Sequence, residues 1–148
     1  MLSLVKVLVS LVAFTYSVSA TSVAAPTCTS SNSVIPDDCR SALASFLETD
    51  GLIIEDTPSD QKSCHDCQVF IESANKVDNL RFSGEGAREA LQLILNKCSN
   101  GYGTVAIPEL PVPGTTTVPA IISIEKGSGS QCEFLTVSVG KIPTAPPR

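Results

Sequence analysis

The chain carries six cysteines, Cys28, Cys39, Cys64, Cys67, Cys98 and Cys132, and they limit its fold more than any other feature. An even number of half-cystines in a small secreted domain reads as three disulfides. Each such bond stabilises by about 2–4 kcal/mol, chiefly by restricting the unfolded chain. Set against a net stability of roughly 5–15 kcal/mol for a domain, three of them supply much of the margin. Spacing alone does not choose among the pairings.

The oxidising compartment that disulfides need is written into the first residues. Met1–Ala20 holds a single positive charge, Lys6, then the apolar run Val7–Phe14, then the small-residue ending Val18-Ser19-Ala20. This is the layout of a secretory signal peptide cleaved after Ala20, which makes the protein secreted and extracellular. The apolar core is too short for an anchor, since a spanning helix needs roughly 20 apolar residues. Lys6 is the only charge lost with the leader, so the formal net charge goes from -5 to -6. An acidic surface disfavours nucleic acid and anionic membranes as partners, because both reward clustered Lys and Arg.

Past the leader, residues 21–36 are rich in Ser, Thr and Pro and read as an extended lead-in. Residues 37–140 read as a single disulfide-stapled α+β domain, and 141–148 as a Pro-rich tail. Asp37 or Asp38 can cap a first helix, whose apolar face is Cys39, Ala42, Leu43, Phe46 and Leu47, ending near Thr49 at the Asp50-Gly51 stop signal. Leu52–Ile54 is at best a strand fragment, and Asp56–Ser63 reads as a polar loop. Cys67–Ser73 is β-prone, with Val69 and Ile71 on one face. The second helix starts at Ser83 or Gly84, carries the stripe Ala87, Ala90, Leu91, Ile94, Leu95 and Cys98, and stops at Ser99-Asn100-Gly101. Three strands follow: Thr104–Ile107, Ala120–Glu125 and Glu133–Val139, the last two read as a hairpin turning at 127–130. The predicted architecture is α+β, two helices packed on a mostly antiparallel sheet of about four strands, with three disulfides.

Residues that carry chemistry are few. His65, the only histidine, lies in Cys64-His65-Asp66-Cys67. A zinc site would need two further ligands, and no second C-x-x-C or H-x₃-H cluster occurs. A redox pair places its first cysteine at a helix N-terminus after a strand, whereas this pair precedes a strand. Two structural half-cystines are the better reading. Asp66, Glu72 and Arg81 are the available companions for an acid–base role of His65, but no G-x-S-x-G or H-E-x-x-H motif accompanies them. Glu85 and Glu89, one turn apart at a helix start, suit the helix dipole. We expect no catalytic residue, no metal and no cofactor. For ligand binding, the mature chain offers no Trp and one Tyr. Tyr102, set between glycines beyond a helix end beside Asn100, is the expected exposed aromatic, and these two residues are the expected ligand contacts.

The layout resembles a fungal secreted family typified by the glycan-binding protein of the ink-cap mushroom. The matching features are Cys28, the run Asp38–Leu47 containing Cys39, the spaced Cys64 and Cys67 ahead of a strand, the helix ending Ile94–Cys98 with its Gly101–Thr104 exit, and a strand entering Gly127–Cys132. The resemblance implies helices on an antiparallel sheet, glycan binding, and dimerisation by sheet extension, for which Glu133–Val139 would be the edge. It extends more distantly to fungal killer toxins and extracellular effectors. Extra cysteines common in that family are replaced here by Leu47 or Glu48 and by Gly84–Ala87, consistent with one disulfide fewer. No binding residue carries over. The expected function is a secreted non-catalytic recognition protein for a glycan. The alternative is an effector or toxin acting on a host or competitor protein, and a small secreted hydrolase comes third.

Overall fold

A computed structural model describes residues 24–29, 33–109, 114, 116–129 and 131–132. The leader 1–20, the predicted strand Glu133–Val139 and the tail 141–148 lie outside the described residues. In chain order the elements are β1 (Thr27–Cys28), α1 (Pro36–Ala44), β2 (Glu48–Thr49), β3 (Leu52–Ile54), β4 (Ser59–Cys64), β5 (Cys67–Ser73), β6 (Arg81–Ser83), α2 (Gly84–Lys97), β7 (Gly103–Ala106) and β8 (Ala120–Lys126). The fold is α+β, with more strands than predicted: a five-stranded sheet in the order β1-β7-β8-β5-β4 and a three-stranded sheet β2-β3-β6. All the pairings are antiparallel. No described helix is long and apolar enough to cross a membrane.

Period-two patterning builds the larger sheet. Cys67, Val69, Ile71 and Ser73 of β5 are buried, as are Ala120, Ile122 and Ile124 of β8 and Gly103 and Val105 of β7. That inner face is covered by the helices: α1 packs on β4 and β5, and α2 on β7 and β8. Cys39, Ala42 and Leu43 of α1 and Ala87, Ala90, Leu91 and Ile94 of α2 join these strands in one hydrophobic cluster. Three disulfides fasten the assembly: Cys39–Cys67 joins α1 to β5, Cys28–Cys98 ties β1 to the end of α2, and Cys64–Cys132 clips the end of β4 to the chain beyond β8.

The second helix follows its prediction closely. Ser83 is its N-cap, and the hydroxyl oxygen accepts from the Gly86 N–H at 3.2 Å. The first helix departs from prediction at both ends. Ile35 occupies the N-cap position without a side-chain bond, and Pro36 supplies the first helical residue, so Asp37 and Asp38 sit in the first turn and favour the dipole there instead of capping. The helix stops at Ala44, where the Ser45 and Phe46 N–H groups bond three residues back to Ala42 and Leu43 in a tightened last turn. Asp50-Gly51 is therefore not a helix stop. Both residues have positive φ (53° and 80°), and they form the two-residue turn that pairs Glu48 with Ile53 and Thr49 with Leu52. Leu47, freed from the helix, is 59% exposed.

One further expectation is corrected. The polar loop expected at Asp56–Ser63 is strand from residue 59 on: Ser59–Cys64 forms β4, an edge strand among the described residues. Its pattern hides this because the inward positions Asp60 and Lys62, opposite Ile71 and Val69, are charged. Charges pointing inward protect a sheet edge from pairing with other chains. They are neutralised locally: the Lys62 ammonium is 2.8 Å from Asp60 and 5.4 Å from the centre of the Phe46 ring. Strand β8 lies between β5 and β7, and its expected hairpin partner, Glu133–Val139, falls outside the described residues.

Glu55, just ahead of β4 in the chain, carries a pH dependence. Burial, followed by the Asp60 carboxylate, pushes Glu55 above its ordinary value of 4.5, while the Lys62 ammonium pulls the other way. The folded state thus holds the Glu55 proton more tightly than the unfolded chain does. The associated stability is fully present below pH 4.5 and is lost as pH rises through the folded value. Glu55→Gln should therefore raise Tm at neutral pH, with the gain vanishing below pH 4.5; thermal unfolding by circular dichroism at both pH values checks this.

Candidate functional site

The segment expected to display an aromatic ring turns it inward. Tyr102 is 3% exposed and belongs to the hydrophobic core. The flanking glycines let the chain fold down after α2, with Gly101 in the left-handed region (φ 76°). Burying a large ring of this kind gains more than exposing it. Asn100 holds the turn in place. Its side-chain N–H donates to the Thr29 carbonyl at 2.6 Å, and its side-chain oxygen accepts from the Tyr102 N–H at 3.1 Å. Its carbonyl accepts from the Val34 N–H at 3.0 Å, beside the Cys28–Cys98 bond. Asn100 and Tyr102 therefore dock the lead-in onto the body, and the ring is not available as a surface platform.

Cys64-His65-Asp66-Cys67 forms the β4–β5 turn. Cys64 and Cys67 face each other across the hairpin but bond to different partners, Cys132 and Cys39. The pair is structural. His65 lies exposed at the turn with φ 46°. Its ring is close to the sulfurs of Cys64 and Cys132, but these are bonded to each other and offer no thiolate to a metal.

The outer face of the five-stranded sheet is different in character. Strand register aligns Thr27, Thr104, Ser123, Phe70 and Gln61 in one row across β1, β7, β8, β5 and β4. At about 4.8 Å per strand the row spans roughly 19 Å. Phe70 is half-buried and stands outside the hydrophobic cluster, opposite in phase to Val69 and Ile71. Amides, hydroxyls and carboxylates surround it: Gln68 and Glu72 are its strand neighbours, and Glu125 and Ile121 pair with them. The Gln68 amide donates to the Gln61 side-chain oxygen at 2.8 Å, and the Thr104 and Ser123 hydroxyls are 3.0 Å apart. An aromatic ring thus sits among hydrogen-bonding groups on this face. The alternation Cys67, Val69, Ile71 in the sequence is the signal that places Phe70 on the other face.

A concave surface lies between the helices, a trough of about 530 Å³. Arg40 of α1 and Arg88 of α2 line it together with Leu43, Phe46, Ile53 and Leu91, and Arg40 reaches across to Gln92 of α2 at 3.4 Å. Glu48 closes one end. Its carboxylate takes a hydrogen bond from Arg88 at 2.6 Å, which, with Glu48's charge, outweighs partial burial and raises the guanidinium's pKa further. A Cβ at Gly84 would meet that same carboxylate, the far end of a flexible side chain that would have to move aside.

No family model, curated protein or solved structure matches this chain. The structural assignment of the Asn100 turn is directly checkable. Asn100→Ala should cost roughly 1–3 kcal/mol, because the Tyr102 N–H loses its acceptor and the Thr29 carbonyl its donor. Tyr102→Ala should cost about 3 kcal/mol or more. Urea unfolding measures both; native-like stability for Tyr102→Ala would contradict the buried placement.

Proposed function

We propose that this chain is a secreted, non-catalytic recognition protein that binds a glycan on the outer face of its five-stranded sheet. The observation that carries the reading is the cross-strand row, with the Phe70 ring set between Ser123 and Gln61. A pyranose offers an apolar C–H face and a rim of hydroxyls, and it is suited by a ring to stack on with amides and hydroxyls in the same plane. Phe70 supplies the stacking surface, and Gln61, Gln68, Ser123 and Thr104 supply donors and acceptors. Glu72 and Glu125 border the row and accept from sugar hydroxyls.

Supporting features lie elsewhere in the chain. The Met1–Ala20 leader and three disulfides suit an extracellular protein. The resemblance to the fungal glycan-binding family points to the same ligand class. A binding role also accords with His65, whose place is an exposed turn beside a disulfide and not a cleft.

A glycan array probed with the mature protein tests the proposal. The expected result is a defined set of bound oligosaccharides, with Phe70→Ala weakening binding by about tenfold or more while leaving the fold intact. A blank array at high protein concentration, or binding indifferent to Phe70→Ala, would overturn it.

A further inference from the structure

We infer that the outer sheet face sorts glycans by charge, accepting uncharged sugars and rejecting sulfated, sialylated and uronic ones, with Glu125 as the main discriminating residue. The inference rests on the proposed reading of that face as a glycan site. Alternation along the strands gives the face its inventory. Outward positions begin at Ser59 on β4, Gln68 on β5, Thr104 on β7 and Ile121 on β8, and recur at every second residue. The charged side chains among them are Glu72 and Glu125, and none is Lys or Arg. The lysines of the same strands stand in the opposite phase, Lys62 opposite Val69 and Lys126 opposite Cys67.

Register sets the two carboxylates on either side of the Phe70–Ser123 pair. Glu72 lies two residues beyond Phe70 on β5, and Glu125 two residues beyond Ser123 on β8, which runs the other way. At about 3.3 Å per residue, each position is roughly 7 Å from the row. That is within the Debye length of about 8 Å at physiological ionic strength, so an anion stacked on Phe70 feels both carboxylates. The two are not equivalent. The Lys76 ammonium, 3.5 Å from Glu72, offsets part of that charge. Glu125 is exposed, and among the described residues no ion pair engages it. An acidic sugar on this face therefore meets an uncompensated like charge and no cation in outward phase to pair with. Juxtaposed like charges are an effective means of rejecting a wrong partner. A neutral sugar meets no such penalty, because a carboxylate accepts from its hydroxyls.

Matched pairs of oligosaccharides test the inference: a neutral ligand identified on the array, and the same oligosaccharide carrying one sulfate or one uronic carboxylate. Both are titrated into the mature protein by calorimetry. The charged member of each pair should bind about fivefold more weakly at low salt, and the gap should shrink as salt rises. Glu125→Gln keeps an oxygen acceptor and removes the charge, so it should narrow the ratio by about twofold or more. Adding Glu72→Gln should narrow it further. Equal or tighter binding of the charged members, or a ratio unmoved in the double variant, would overturn the inference. Either result comes from a protein that still binds the neutral member through Phe70, and so leaves the glycan reading standing. A blank array would remove that reading and this inference together.

Discussion

The bond between Cys39 and Cys67 fixes the phase of the whole sheet. Side chains on a strand alternate between faces, so a one-residue slip would exchange inside for outside along its full length. Cys67 must point inward to reach Cys39 on the buried stripe of α1, and it is fully buried there. Val69, Ile71 and Ser73 then point inward with it, while Gln68, Phe70 and Glu72 point outward. Register with β8 and β4 carries the same choice to Ile122 and Ile124 inside and to Ser123 and Gln61 outside. A helix, a core and a polar outer row are thus set by one covalent link at the first residue of β5.

The remaining disulfides hold the ends of that framework. Cys28–Cys98 and Cys64–Cys132 span 70 and 68 residues, against 28 for Cys39–Cys67. In the chain-entropy account, loops of these lengths are worth roughly 3–5 kcal/mol each. They act where burial is thin. Thr27 and Cys28 are exposed, so β1 stays on β7 through the Cys98 link and the Asn100 hydrogen bond more than through packing. At the opposite edge β4 carries charges on its inner face and is secured at its end by Cys64. The stability added by the staples lets the sheet keep a polar face and two weakly packed edges.

What could be read from the sequence follows the strength of local periodicity. Helix α2 was legible from cap to cap because a three-turn apolar stripe and a Ser cap agree. Strand β5 was legible because its inner residues alternate without a break. Strand β4 was not, since Ser59–Cys64 has no apolar alternation and owes its conformation to pairing with β5. The pattern at Phe46 and Leu47 continues the helical spacing of α1, but the Asp50-Gly51 turn draws that segment into β2. Tyr102 misled for a related reason: glycine-flanked sequence signals a turn, not the direction in which the turn's side chain points. The trough depends on residues some forty positions apart, such as Glu48 and Arg88, and no local pattern announces it.

The surface proposed to bind depends on the same pairing of cysteines. With α1 bonded at Cys67, the outer row faces away from the helices and the trough opens between them. Cys64 and Cys67 are close enough across their turn that the alternative partnering is chemically reasonable. Digestion of the unreduced protein with an endoprotease that cuts before aspartate separates the two cysteines at Asp66, and mass spectrometry then reads the linked peptides. With no aspartate after Asp78, Cys98 and Cys132 stay on one fragment, and the account predicts a separate Cys39–Cys67 peptide with that fragment joined to both the Cys28 and the Cys64 peptides. A Cys39–Cys64 or Cys67–Cys132 peptide would contradict it, because β5 would then lose the link that sets which residues face the core.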